Sequence, residues 1–270
     1  CDTSRSGMLR RLEVTEKYRV KWSREETILA FDLYCKTPFS KIGKSNKDII
    51  ELANLLGRTP SSVGLKMANL AHFDPELRAR NVSGMANTSK LDAEIFREFS
   101  QDWTELSYQA QQIRANLQRT TIDQIIDIED AQELIEIPVG EYREQMMKRR
   151  VGQYFFRMSV LSAYRNRCCI TGMALSNMLI ASHIKPWCDS DEKTERTNPS
   201  NGLCLNSLHD KAFDKGLITI DKNYCVVNSK QLKEAEMDDE SRAWLQFYEG
   251  HQIILPDRFY PGKKFIEYHN

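Results

Sequence analysis

Leu179-Ile180-Ala181-Ser182-His183-Ile184-Lys185-Pro186-Trp187, then Asn201-Gly202-Leu203-Cys204-Leu205, then His209-Asp210-Lys211-Ala212-Phe213-Asp214-Lys215-Gly216, is the stretch on which the fold turns. Its apolar opening, Leu179-Ile180-Ala181, suits a short buried strand. Pro186 cannot donate to a ladder, so pairing stops just before it and His183 is left near the strand's end. Asp210 and Asp214 stand at i and i+4, which puts both carboxylates on one helical face where they can converge on an ion. Leu217-Ile218-Thr219-Ile220, the turn residues Asp221-Lys222-Asn223 and Tyr224-Cys225-Val226-Val227 read as a hairpin after that helix.

Two of the chain's five histidines, an asparagine and several carboxylates therefore gather within residues 167–216. Phosphodiester hydrolysis near neutral pH needs a deprotonated water and a counter-charge for the phosphorane and leaving oxygen, which one histidine and one divalent cation supply. The order of these elements resembles the HNH endonucleases of the ββα-metal type. The resemblance extends over residues 151–227, taking in the lead-in Gln153-Tyr154-Phe155-Phe156-Arg157, Ser162-Ala163-Tyr164-Arg165 and Cys168-Cys169-Ile170-Thr171-Gly172.

That likeness implies that His183 is the general base and that Asn201 braces the loop carrying it. It implies Asp210 as first metal ligand, at a position where relatives carry histidine or aspartate, with His209 and Asp214 as further candidates. His209 has the alternative of packing beneath the helix, and Asp214 of pairing with Lys211 or Lys215 or capping the turn closed by Gly216. Relatives commonly place an acidic residue or histidine just before the catalytic histidine; here Ser182 stands there, so the upstream ligand is open. An oxygen-rich set with one imidazole suits Mg2+ or Mn2+, while Ni2+ or Zn2+ also binds such sets. The products implied are 5′-phosphate and 3′-hydroxyl ends.

The seven cysteines contain no C-x-x-C pair, so no structural zinc is expected and the thiols read as small buried groups in a reducing cytoplasm. No leader and no apolar run of membrane-spanning length is evident. Residues 1–7 read as a remnant before a start at Met8.

In the front half, Trp22-Ser23-Arg24-Glu25-Glu26 opens a helix with Ser23 as N-cap and Glu26 completing a capping box. A second helix starts near Asn46 and stops at Gly57, and a third covers residues 61–71; Gly57 and Pro60 enforce the turn between them. The trio resembles a helix-turn-helix, with its Myb-like three-helix variant. Leu56-Gly57-Arg58-Thr59-Pro60-Ser61-Ser62-Val63-Gly64-Leu65-Lys66 is also similar to the front domain of restriction-type HNH proteins. On that reading Arg58 and Lys66 contact phosphates while Ser61, Ser62 and Asn69 face groove edges. The alternative is a helical hairpin that packs on the nuclease or another subunit. Residues 89–119 read as one long or broken helix.

Lys plus Arg equals Asp plus Glu, 38 of each, so attraction for a polyanion has to come from local patches. Candidates are Arg10, Arg11, Lys17, Arg19 and Lys21, and the group Lys148, Arg149, Arg150, Arg157, Arg165 and Arg167 leading into the histidine stretch. The acidic residues 122–141 read as a linker with a solvated face, or as a strip that mimics DNA.

The expectation is an α+β chain: a helical, helix-turn-helix-like domain over 8–118, an acidic linker over 119–150, and a ββα-metal HNH nuclease domain over 151–270. It is expected to cut double-stranded DNA with a divalent metal, in restriction or antiphage defence, as a cytoplasmic protein away from membranes; a palindromic target would favour a homodimer. The competing readings are a DNA-binding regulatory or structural protein with a degenerate nuclease fold, and an RNA-directed or structure-specific nuclease.

Overall fold

The computed structural model describes residues 20–80, 88–125 and 140–270. The basic residues Arg10, Arg11, Lys17 and Arg19, the start at Met8 and most of the acidic stretch lie outside these.

Helix α1 (Arg24–Lys36) starts as its sequence dictates: Ser23 accepts from the Glu26 backbone and Glu26 returns the bond. Asn46 caps α2 (Lys47–Leu56), which ends on Gly57 in the left-handed conformation, φ 64°. Thr59 and Pro60 then open α3 (Pro60–Ala71). The three helices pack on one another through Ile28, Phe31, Leu52, Val63, Met67 and Leu70, all buried. A short α4 (Pro75–Ala79) follows, and of the long or broken helix expected over residues 89–119 the broken form is found, α5 (Lys90–Phe99) and α6 (Trp103–Gln118). The break has a cause in the sequence: Asp102 caps α6 by accepting from Glu105 N, which restarts the helix.

After the brief α7 (Ile122–Ile125) comes α8 (Glu141–Ala163), 23 residues long. Residues 141–150, expected to be linker, are its opening turns, because Met147 and Val151 find an apolar seat against Tyr108. Helix α8 packs against α6 and α1 on one side and against the strands that follow on the other. Those strands are β1 (Leu179–His183) and β2 (Gly202–Asn206), antiparallel, with His183 opposite Gly202 and Leu179 opposite Asn206. Asn206 caps α9 (Ser207–Asp214), completing strand, strand and helix. The hairpin β3 (Ile218–Ile220) and β4 (Val226–Asn228), then α10 (Lys230–Glu234), α11 (Asp239–Leu245) and α12 (Lys263–His269), finish the chain. The architecture is α+β.

One continuous apolar core runs through both halves. Trp103 of α6 is the hub of the ring contacts, meeting Phe31 of α1, Phe155 of α8 and Phe259 before α12 with centroids 5.9, 6.2 and 5.5 Å away. Arg258, fully buried, donates to the carbonyls of Cys35 (2.9 Å) and Thr37 (2.6 Å) and to Ser162 Oγ (3.0 Å). Among the described residues no helix is long and apolar enough to cross a membrane.

Candidate active site

His183 ends β1, where the strand gives way to the loop begun by Pro186. Its ring lies flat on Phe156 of α8, centroids 3.8 Å apart and planes 12° from parallel, with Trp187 edge-on at 5.6 Å. Nε2 meets the carbonyl of Arg196 at 2.9 Å. A carbonyl only accepts, so that contact fixes Nε2 as the protonated nitrogen and leaves Nδ1 with a lone pair. Burial pushes the imidazole below its ordinary pKa, offset in part by the Arg196 carbonyl and by Asp214.

Asn201 is wholly buried and clasps the loop from both sides. Its Oδ1 accepts from Lys185 N at 2.8 Å, and its Nδ2 faces Lys185 O, Ser190 Oγ and Glu195 O at 3.1, 3.2 and 3.3 Å. The residues on either side of the His183 contact, 185 and 195, are thus pinned to one amide. Glu195 adds charge to the same clasp: Lys185 and Lys264 hold its carboxyl down at about 2.

Gly202 follows with φ −129°, a conformation open to any residue, so it is not required for a turn. It is required for space. A Cβ there would collide with Val160 and approach Phe156 Cζ to 2.9 Å, the ring on which His183 rests.

Helix α9 presents two faces. His209, Ala212 and Phe213 point into the core; Asp210 is half-buried and Asp214 exposed. Burial raises Asp210 above the usual carboxylate value, with the charge of Asp214 adding to it, while the Ser182 hydroxyl and Lys211 act in the opposite sense. Neither aspartate forms an ion pair among the described residues, so the expected alternative of Asp214 with Lys211 or Lys215 is not realised. Ser182 is buried, and its hydroxyl has no partner at hydrogen-bond geometry although it lies near enough to Asp210 to influence it.

His209 is turned inward from the face that carries Asp210 and Asp214. Nδ1 lies 3.1 Å from Asn206 Oδ1 and the ring packs edge-on to Tyr248, while Nε2 is buried with no partner among the described residues. The physical reason is the cap: Asn206 also takes the His209 amide, which turns this first-turn side chain inward.

Residues 168–221 match the family described as HNH endonuclease. The chain carries an HNH endonuclease domain. No curated protein matches the chain. The domain's matched span holds His183, Asn201, Asp210 and Asp214, and it ends with β3. Two rings from outside that span also contact these residues: Phe156 from α8 under His183, and His269 of α12, which stacks on Phe213 at 3.9 Å and feels Asp214. Neither was singled out from sequence for the site. Phe156 stood in the quoted lead-in, but nothing in a helical apolar pattern tells an ordinary core ring from one that supports His183.

The expected nucleic-acid contacts fare unequally. Arg58 and Lys66 are buried, and that part of the expectation is wrong. Arg58 pairs with Glu26 at 2.6 Å over the Trp22 ring, and Lys66 pairs with Asp92 at 2.6 Å beside the same ring. Both pairs are buried, where either charge left without its partner costs far more than the pair. Ser61 is exposed and Ser62 and Asn69 are half-buried, sharing the outer face of α3 with exposed Leu65. Lys148 pairs with Glu105 at 2.5 Å, and Arg165 makes a two-pronged pair with Asp257. Arg167 is exposed, donating to Gly172 O at 3.2 Å. Arg149 is exposed and lies over the Trp187 ring, with half-buried Arg150 beside it in sequence.

Proposed function

We propose that this chain is a divalent-metal-dependent endonuclease that hydrolyses double-stranded DNA, with His183 as general base. The observation that carries the reading is the His183 imidazole, tied through Nε2 to the Arg196 carbonyl and held neutral by burial. In that state Nδ1 accepts a proton from an attacking water near pH 7, and Phe156 fixes the plane in which it does so. Asn201 acts by holding the loop, so that the Arg196 carbonyl stays opposed to the ring.

The residues present fit a hard cation. Two carboxylates without ion-pair partners, Asp210 and Asp214, and the partnerless Ser182 hydroxyl offer oxygen donors in a partly open setting suited to Mg2+ or Mn2+ with water completing the shell. Bound there, such an ion supplies charge for the phosphorane and the leaving oxygen. The outer face of α3, Ser61, Ser62 and Asn69, is the proposed base-reading surface, with Arg149, Arg150 and Arg167 nearest the phosphates. Residues 8–118 would then read DNA and 151–270 cut it. The likeness of the front segment to restriction-type HNH proteins supports a role in restriction or antiphage defence, in the cytoplasm, and two-strand cutting favours a homodimer.

One observation favours a second reading, a DNA-binding protein with a degenerate nuclease fold: among the described residues no three His, Cys, Asp or Glu side chains form a ready metal cage. Cleavage of supercoiled and phage DNA, modified and unmodified, with Mg2+, Mn2+, Ni2+ or EDTA, separates the two. Cutting that needs the metal and falls by about 10²–10⁴ in His183→Ala is expected; equal inactivity of both with DNA binding intact favours the second. Parallel single-stranded and RNA substrates test the third, RNA-directed or structure-specific, reading.

A further inference from the structure

A cavity of about 610 Å³ opens between the first turns of α8 and the loop 187–197, lined by Tyr142, Lys148, Arg149, Trp187, Glu192 and Arg196 among others. We infer that it is a binding site for one nucleotide of the substrate strand, its base against the Trp187 indole and its phosphate on Arg149. The inference rests on the nuclease reading and adds to it a subsite.

Four observations carry it. Three cations line the cavity against one carboxylate, Glu192, so it attracts an anion. Two of those cations are already engaged: Lys148 by Glu105, and Arg196 by the Ser190 carbonyl at 3.1 Å with Glu192 at 3.9 Å. Arg149 is exposed and has no ion pair among the described residues; its guanidinium rests 5.8 Å from the centre of the indole. Both guanidiniums lie over that indole, Arg149 at 5.8 Å and Arg196 at 5.6 Å, so a base reaches the ring as the exposed Arg149 moves onto its phosphate; a ring and a movable guanidinium are the two groups that hold a base and a phosphate. Third, the size is within the range that takes a small ligand. Fourth, the site adjoins the chemistry: Trp187 is edge-on to His183, and Arg196, which lines the cavity, lends His183 its carbonyl. A strand whose phosphate lies at His183 therefore has a neighbouring nucleotide at the cavity mouth.

A base enters such a site only by leaving its stack, which costs least where it is mismatched or unpaired. The chain should then hold a duplex with one mismatch, and a single strand, more tightly than the fully paired duplex.

The test uses the whole chain in EDTA with three probes: a short mixed-sequence duplex, the same duplex with a central mismatch, and its single strand. Tryptophan fluorescence reports stacking and anisotropy reports affinity, and cleavage with Mg2+ is followed in parallel. Expected are quenching on binding that is lost in Trp187→Phe while affinity changes less than about threefold, and a loss of about tenfold in Trp187→Ala. Arg149→Ala, at an exposed position that leaves folding alone, should weaken binding and lower the salt slope by about 1. Undiminished quenching in Trp187→Phe, or Arg149→Ala binding within about twofold of the parent, overturns the nucleotide site. If the parent still cleaves, only the subsite has failed; a parent that neither cleaves nor binds any probe removes the nuclease reading as well.

Discussion

His183 is where burial, tautomer and charge meet. Its pKa is pushed down by burial, so the neutral, proton-accepting form persists below the ordinary imidazole value of about 6.5. The acid limb of kcat/KM should therefore have its midpoint below about 6.5, measured on a cleavable duplex at fixed metal; a midpoint above 7 would mean that the Asp214 charge outweighs burial. His209 and His269 are depressed for the same reason. As pH falls below about 6.5 the unfolded chain takes up protons that the folded chain refuses, so stability should decline over that window in urea titrations. Asn201 bonds three carbonyl or hydroxyl acceptors and one amide from a fully buried position. Asn201→Ala strands them, and each unpaired buried group costs about 1–3 kcal/mol; urea unfolding should show a loss of at least about 2 kcal/mol, and cleavage should fall with the loop. Arg58 and Lys66 teach the opposite lesson at this scale. Their charge is visible in the sequence, yet Glu26 and Asp92, which absorb it, come from other helices.

Between elements, the approach of α8 to the strand pair sets the site. Gly202 leaves just the room that Val160 and Phe156 fill. Gly202→Ala should force Phe156 away from its 3.8 Å stack with His183, destabilise the chain by about 1–3 kcal/mol and lower kcat more than it raises KM, read by thermal unfolding and steady-state cleavage. The starts of the first two helices were legible because caps are local: Ser23 and Asn46 each bond a backbone amide within three residues, as Asp102 and Asn206, not singled out from the sequence, also do. The inward turn of His209 was not, because two orientations of a first-turn side chain satisfy the same pattern and the Tyr248 contact chooses between them.

For the molecule as a whole, the front helices and the HNH domain share one core. Arg258 spans them, bonding carbonyls at the end of α1 from the segment before α12. Arg258→Ala combines a cavity with orphaned carbonyls, and a loss of about 3 kcal/mol or more is expected. A fragment of residues 140–270 should fail to fold alone, since it exposes Phe155 and Phe259 where Trp103 covers them; a dispersed amide spectrum from that fragment would refute this.

The sequence by itself determined the strand, the helix with two aspartates on one face, the capped front helices and the family of the stretch 168–221, because those signals are periodicities and contacts over a few residues. Only the tertiary structure decided which charges are buried, that Phe156 and His269 belong beside the site, and that the acidic stretch gives way to a long helix at residue 141. Those outcomes depend on partners tens to hundreds of residues away, and the energy that selects among them is the burial of surface between elements, which no local pattern records.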